Sequence, residues 1–255
     1  EVRQIARKAG AFLRDERQKF DRERVEEKSA HNYVSYVDKE SERRLVEQLS
    51  TLLPEAGFIA EEGSGSLTDE EYCWVIDPLD GTTNYSQGLP IFTVSIGLQC
   101  KGETVLGVVY APYLNELYEA CKGKGAMLNG RSIHVSGKND TQESVVSTGF
   151  PIDKDRNPDN NLDNLARILP MVRGVRRQGS AAFDLCCVAA GILDGYWEFN
   201  LHLWDVCAGI LIVTEAGGTV RSFREDRNVP IVVGTPAIVE QLYPRLSDKP
   251  GKICL

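Results

Sequence analysis

The octapeptide Asp77-Pro78-Leu79-Asp80-Gly81-Thr82-Thr83-Asn84 sets two carboxylates three residues apart and follows them with two hydroxyls and an amide. Clustered carboxylate and carbonyl oxygens suit a hard cation. Thr and Asn open helices, whose first backbone N–H groups lack an intrahelical partner and hold phosphate. Taken alone, Asp-Pro and Asp-Gly are ordinary turn dipeptides. Two features raise this stretch above a surface turn. It follows Trp74-Val75-Ile76, a run apolar enough for a buried strand, and it has acidic partners. Glu61 ends the short strand Phe58-Ile59-Ala60, and Asp205 stands at a helix start after Trp204. By itself Asp205 reads as an N-cap. Together, Glu61, Asp77, Asp80 and Asp205 can build an oxygen-only site for Mg2+, an ion that takes few carboxylates and adds water and substrate phosphate. Two such ions would clamp a phosphate and activate water.

The elements that must carry these groups are legible in outline. Residues 2 to about 24 form an amphipathic helix with Val2, Ile5, Ala6, Ala9, Phe12, Leu13 and Phe20 on one face. Ser35 or Asp38 caps a second helix that Pro54 ends. The Pro and Gly of the octapeptide require a turn between its carboxylates. Residues 63–71 read as a mobile loop. Residues 92–100 and 104–111 are strands of a hairpin, and a meander continues through Leu117–Ala120 and 125–128 to a tight turn at Asn129-Gly130. A polar hinge at 136–143 separates two lobes, and the Asn/Asp-rich 153–165 segment reads as a surface loop. A helix over 180–192, a strand at 196–199, a helix over 206–216 stopped by Gly217-Gly218, a strand at 231–233 and a helix from Pro236 complete the chain. Helices and strands mix without a βαβα repeat, which predicts an α/β fold of layers with mixed sheets.

The chain has 255 residues, 42% apolar and 26% charged, with a formal net charge of −8. That is the composition of a globular protein with a sizeable core. The acidic balance argues against nucleic-acid binding through a broad basic face, although Arg173, Arg176 and Arg177 form a local basic patch. Seven cysteines, an odd number without a CxxC pair, mostly lie in apolar runs; this implies a reducing, cytoplasmic compartment. No apolar run approaches 18 residues, so no membrane span is expected, and no signal peptide is visible. The chain opens without Met, directly in a helical pattern, and is expected to lack a few residues. Other motifs fail. Asp153-Lys154-Asp155-Arg156-Asn157 starts like a calcium loop but has Pro158 and Asn164 where Gly and Glu are needed. Gly102 to Gly107 spaces like a phosphate loop without its Lys-Ser/Thr. His31, His134 and His202 show no metal spacing; His202 is near enough in sequence to Glu198 and Asp205 to line a shared pocket.

Three segments carry a resemblance: Ala60-Glu61-Glu62, Trp74 through Asn84, and Trp204-Asp205-Val206-Cys207-Ala208-Gly209 with Glu215-Ala216-Gly217-Gly218. Gly107-Val108-Val109-Tyr110, Gly123-Lys124-Gly125-Ala126 and Asn129-Gly130 add to it. In these segments, in order along nearly the whole chain, the sequence resembles the inositol monophosphatase family of lithium-sensitive, Mg2+-dependent phosphatases. The resemblance implies a layered αβαβα sandwich of the sugar-phosphatase type. It implies one catalytic domain of two packed lobes, about 1–135 for metal and phosphate and about 136–255 for substrate. Glu61, Asp77 and the Leu79 carbonyl would hold one Mg2+, and Asp77, Asp80 and Asp205 a second, with Glu61 reaching a third. Thr82 would orient the attacking water with Asp38 as its hydrogen-bonded partner. The N–H groups of Gly81 and Thr82 would bind phosphate. Ala181 and Glu198, with Asp80 and Asp205, would face the substrate's alcohol portion.

The resemblance further implies hydrolysis of a small polyol phosphate such as inositol 1-phosphate by a homodimer. Within the family, 3′-phosphoadenosine 5′-phosphate, fructose 1,6-bisphosphate, histidinol phosphate and NADP are rival substrates. Glu198 favours a polyol, because a carboxylate accepts hydrogen bonds from hydroxyls and repels a second phosphate. Outside the enzymes, the rival is a protein-binding module of the transcription machinery, in which some bacterial relatives take part. Asn32, Ala60 and Ser180 depart from residues common in the family; none is a metal ligand, and they loosen only the substrate assignment.

Overall fold

The computed structural model describes residues 1–19, 25–29, 32–65, 70–153, 155, 157, 159–223 and 229–247. Chain order runs α1 (Val2–Arg17), β1 (Val25–Ser29), β2 (Asn32–Ser35), α2 (Tyr36–Leu52), β3 (Gly57–Ala60), β4 (Tyr72–Asp80), α3 (Thr82–Gln87), β5 (Thr93–Cys100), β6 (Glu103–Ala111), β7 (Glu116–Cys121), β8 (Ala126–Leu128) and β9 (Arg131–Ile133). It continues with β10 (Val145–Thr148), α4 (Leu162–Ile168), β11 (Gly174–Arg176), α5 (Ala181–Ala189), β12 (Gly195–Leu201), α6 (Leu203–Glu215), β13 (Thr219–Ser222), β14 (Val229–Gly234) and α7 (Pro236–Leu242).

Strands β3 to β9 form one seven-stranded sheet in sequence order, antiparallel except for the β3–β4 pair. Its hairpins turn through paired residues at positive φ, Lys101 (53°) with Gly102 (80°) and Asn129 (49°) with Gly130 (77°), of which the glycines and the asparagine take that conformation readily. The second sheet has the order β11-β10-β12-β14-β13, parallel across its first three strands and antiparallel beyond. Three cores separate five layers. Helices α1 and α2 bury Ile5, Leu13, Leu45 and Leu49 against Trp74, Ile76, Val94 and Val108 of the large sheet. Helices α5 and α6 fill the space between the sheets, with Leu185, Val188 and Ile212 meeting Val109 and Tyr118 on one side and Tyr196 and Val233 on the other. Helices α4 and α7 cover the far face of the small sheet with Ile168, Ile238 and Leu242 over Trp197 and Val232. This is the expected αβαβα sandwich. No helix among the described residues is long and apolar enough to cross a membrane. Cys73, Cys100, Cys121, Cys186, Cys187 and Cys207 form no disulfide among the described residues; Cys254 and His31 lie outside the described residues.

Several local expectations change. Helix α1 ends at Arg17, and residues 20–24 lie outside the described set. Asp38 sits inside the first turn of α2 rather than capping it. Part of the 63–71 segment also lies outside the described residues. The backbone does not turn between Asp77 and Asp80. Strand β4 runs through Asp80, and Asp77 faces Ser95 while Asp80 faces Thr93, so one extra residue bulges out. A bulge accommodates Pro78, which has no N–H to give the ladder; the turn comes at Gly81, φ 99°. The 153–165 segment is not simply a surface loop. Asn160, Asn161 and Asn164 are buried, and α4 begins within it.

Candidate active site

The bulge aims the two acids of β4 in different ways. Asp77 is buried, at 2% exposure, and its Oδ1 accepts the N–H of Leu79 at 2.9 Å. Asp80 reaches the start of α5, where its Oδ2 accepts from Ser180 Oγ at 2.7 Å and from the N–H of Ala182 at 2.8 Å. Ser180 also caps α5 by accepting the N–H of Phe183. Gly81 follows, and a Cβ there would stand 3.1 Å from the carbonyl of Ile91 and 3.2 Å from that of Gly179, so both its dihedral and its surroundings demand glycine. Thr82 opens α3. Its Oγ1 donates to Asp38 Oδ1 at 2.9 Å and lies 3.2 Å from the Leu79 carbonyl. Asn84, two residues on, donates to the carbonyls of Ile91 and Gln178 at 2.7 Å each, tying α3 to the segment that leads into α5.

The other carboxylates arrive from two more elements. The N–H of Glu61 donates to the Ile76 carbonyl, continuing the β3–β4 pairing past Ala60. The fully buried Glu42 of α2 then accepts the N–H groups of Glu62 and Ser64 at 2.7 and 2.8 Å, fixing the segment that carries Glu61. Asp205 is the third residue of α6 and accepts the N–H of His202 at 2.6 Å, closing a capping box; it is therefore not the N-cap, a place His202 takes. The His202 ring stacks on Trp204 with centroids 4.7 Å apart.

These groups meet on two adjoining cavities. The smaller, about 160 Å3, is lined by Asp77, Leu79, Gly81, Thr82 and Thr83. The larger, about 550 Å3, is lined by Ala181, Asp184, Glu198, Asn200 and His202 among others. Glu61, Asp80, Arg177 and Asp205 line both. Asp38 lines neither; it accepts from Thr82, which lines the smaller.

The electrostatics are those of acids without enough counter-charge. Burial, followed by the charges of Glu61, Asp80 and Asp205, holds Asp77 well above the usual carboxylate range. Burial and then Asp205 push Asp80 up to about 7, against the bonds from Ser180 and Ala182. Burial pushes Glu198 up to about 8 despite the Tyr196 hydroxyl and the Arg177 charge. As the side chains stand, no three His, Cys, Asp or Glu among the described residues close on a point tightly enough to hold an ion. The donor set nevertheless fits a hard divalent cation: it is all oxygen, and a cation would compensate the repulsion that raises Asp77 and Asp80.

Sequence reasoning missed Glu42, Asp184, Tyr196 and Asn161. None sits in a motif. Asn161 belongs to a polar stretch whose burial only the fold reveals, while Glu42 looks like any charged helix residue. Arg177 was visible only as part of a basic patch; it faces the cavities.

A five-layered αβαβα chain with an Asp-x-x-Asp bulge over a helix start, and further carboxylates converging from β3 and α6, has the architecture of a phosphatase. The model of the inositol monophosphatase family matches residues 2–248, and the chain belongs to that family. A Nus factor SuhB of Pasteurella multocida is 41% identical over 254 residues, covering 96% of this chain and 95% of the relative. A fructose-1,6-bisphosphatase/inositol-1-monophosphatase of Aquifex aeolicus is 41% identical over 240 residues, covering 93% and 91%. Among solved structures, an inositol monophosphatase from Anabaena superposes with a TM-score of 0.85 at 37% identity, covering 97% of this chain and 94% of that one.

Proposed function

We propose that this chain hydrolyses a small polyol phosphate monoester, inositol 1-phosphate, with Mg2+ as its cofactor. The observation that carries the reading is the cavity pair, on whose shared wall Glu61, Asp80 and Asp205 stand between the Asp77–Thr82 stretch and Glu198. Glu61, Asp77 and the Leu79 carbonyl would hold one ion, Asp77, Asp80 and Asp205 a second, and Glu61 a third. Bound there, the ions supply charge neutralisation and Lewis-acid activation of water. The chain's own groups do the rest. Thr82 gives its proton to Asp38 and so turns its oxygen lone pairs toward a water, which it orients for in-line attack. Gly81 and Thr82 precede the first intrahelical donor of α3, the N–H of Tyr85, and their N–H groups take phosphate oxygens. Ala181, Glu198 and the outer oxygens of Asp80 and Asp205 face the alcohol. In this reading residues up to about 135 supply the metal and phosphate lobe and those from about 136 the substrate lobe, with Asp205 crossing between them.

The protein is further read as a cytoplasmic homodimer inhibited by Li+. The bisphosphatase name of the Aquifex relative supports fructose 1,6-bisphosphate as an alternative substrate. The Nus factor name of the Pasteurella relative supports the non-enzyme alternative, a protein-binding module of the transcription machinery.

Phosphate release from inositol 1-phosphate tests the reading. It is expected with Mg2+ and absent in EDTA, and Asp77→Asn, which removes the one ligand shared by both ions, should cost at least about tenfold. Equal turnover in EDTA and Mg2+ would sink it.

A further inference from the structure

Glu198 does not stand free in the cavity wall. Tyr196 precedes it by two residues on β12, so both side chains leave the same face of the small sheet. The Tyr196 side chain is fully buried in the core between the sheets, yet its hydroxyl reaches the Glu198 carboxylate and donates to Oε2 at 2.5 Å. From the other side the carboxylate abuts Gly149. A Cβ at that position would lie 2.0 to 2.4 Å from both carboxylate oxygens and the carbon between them. Gly149 is itself held in place. Its carbonyl and Thr148 Oγ1 accept from the Asn161 amide at 2.7 and 2.8 Å, Thr148 Oγ1 donates to the Trp197 carbonyl at 2.7 Å, and Trp197 Nε1 donates to Asn161 Oδ1 at 2.9 Å. That buried network ties the end of β10 to Trp197 of β12, the residue before Glu198, and Gly149, held by it, leaves the carboxylate no room to rotate that way.

We infer that Tyr196 is a positioning residue for substrate selection: by engaging Oε2 of Glu198 it fixes the carboxyl group and leaves Oε1 as the oxygen that meets a hydroxyl of the substrate's alcohol. The inference rests on the reading of Glu198 as the group that meets the alcohol. Two free oxygens on a mobile carboxylate could serve many polyols; one oxygen in one place serves a hydroxyl at one position of a ring. Burial, and next the neighbouring Glu198 charge, keep the Tyr196 hydroxyl protonated and therefore a donor. Tyr196 touches no substrate atom and acts only through Glu198, so its effect must vanish when Glu198 cannot accept in the same way.

The test uses two esters in Mg2+: inositol 1-phosphate, which offers ring hydroxyls, and p-nitrophenyl phosphate, which offers none. The quantity read is the ratio of their kcat/KM values in wild type, Tyr196→Phe, Glu198→Gln and the double variant. Tyr196→Phe is expected to lower the ratio about tenfold, mainly through KM for inositol 1-phosphate, and to add nothing in the Glu198→Gln background. Gly149→Ala should lower the ratio in the same way by displacing the carboxylate. An unchanged ratio in Tyr196→Phe overturns the inference. So does an equal fall with and without Glu198, or a matching loss on both esters, which marks a purely structural role. A wild type that hydrolyses p-nitrophenyl phosphate without preferring inositol 1-phosphate instead removes the substrate reading on which the inference stands. Intact preference with an unaffected Tyr196→Phe removes Tyr196 alone.

Discussion

Thr82 has one proton and gives it to Asp38, and this decides which way the hydroxyl can work. A threonine that donates inward can only accept from the water it faces. Thr82→Ala should therefore lower kcat while KM stays within about twofold, because in the proposed mechanism the hydroxyl orients water and binds no substrate atom. Asp38→Asn should act through the same bond, so the double variant is expected to lose no more than the worse single one. Initial-rate kinetics on all three variants check this, and losses that simply multiply would show that the two residues are independent. Asp184, 2% exposed beside the cavity, shows a different residue-scale effect. Burial pushes it up to about 7, as burial pushes Glu198 up to about 8, from ordinary values of 3.8 and 4.5. The folded state thus holds protons that the unfolded chain has released. Stability from these groups is complete below about pH 4 and is lost as pH rises through 7 to 8. Without divalent metal, melting temperature should fall between pH 5.5 and 8.5, by the equivalent of a few kcal/mol at most, and Asp184→Asn should flatten the slope. A melting temperature that rises over that window would contradict the assignment.

Helix α6 brings Asp205 to the site, and its placement depends on missing side chains. A Cβ at Gly97 of β5 would stand 2.5 Å from Cys207 Sγ, and one at Gly107 of β6 would stand 2.7 Å from the Ala208 carbonyl. A third, at Gly209, would meet Leu185 of α5 at 2.6 Å. The helix therefore lies with its backbone directly on the large sheet. Gly107→Ala is expected to cost about 1–3 kcal/mol, read as a lower melting temperature, because the obstructing atom is main chain and cannot swing away. A melt equal to wild type would mean that α6 can lift off the sheet. This element also marks how far the sequence could be read. Asp205 and its neighbours were legible because they form one contiguous motif, and so was the Asp77–Asn84 stretch. Helices α1, α2, α5, α6 and α7 and the meander were legible from period and turn residues, whereas α4 was not, because the stretch in which it begins read as a surface loop. Strands β10, β11 and β13 were not, being three or four residues long with no periodicity to detect. Glu42, Tyr196 and Asn161 were not legible either, because each acts on a partner far away in sequence or hidden by the fold. Even the bulge in β4 was misjudged as a turn, since Pro78 and Gly81 signal a break in pairing without saying which kind.

On the scale of the molecule, five layers bury three separate cores, and the site lies where elements of both sheets and the helices between them meet. Large apolar side chains remain uncovered: Leu89, Tyr113, Leu169 and Ile192 are each 52–60% exposed. Pairing of two copies, proposed on family grounds, would put such surface to use; sedimentation at micromolar concentration should give a dimer, and a single species near 28 kDa would refute it. The site's division along the chain has a consequence for how the protein comes into being. A ribosome delivers Asp38, Glu61, Asp77 and Asp80 well before Asp205, and domains consolidate from the N-terminal end as they emerge. The seven-stranded sheet can pair while α6 is still unmade, leaving an acidic, half-walled pocket with nothing between it and solvent. Hydrolysis as proposed must wait until α6 has emerged, so a chain terminated before Asp205 would be born inert however well its first sheet had folded.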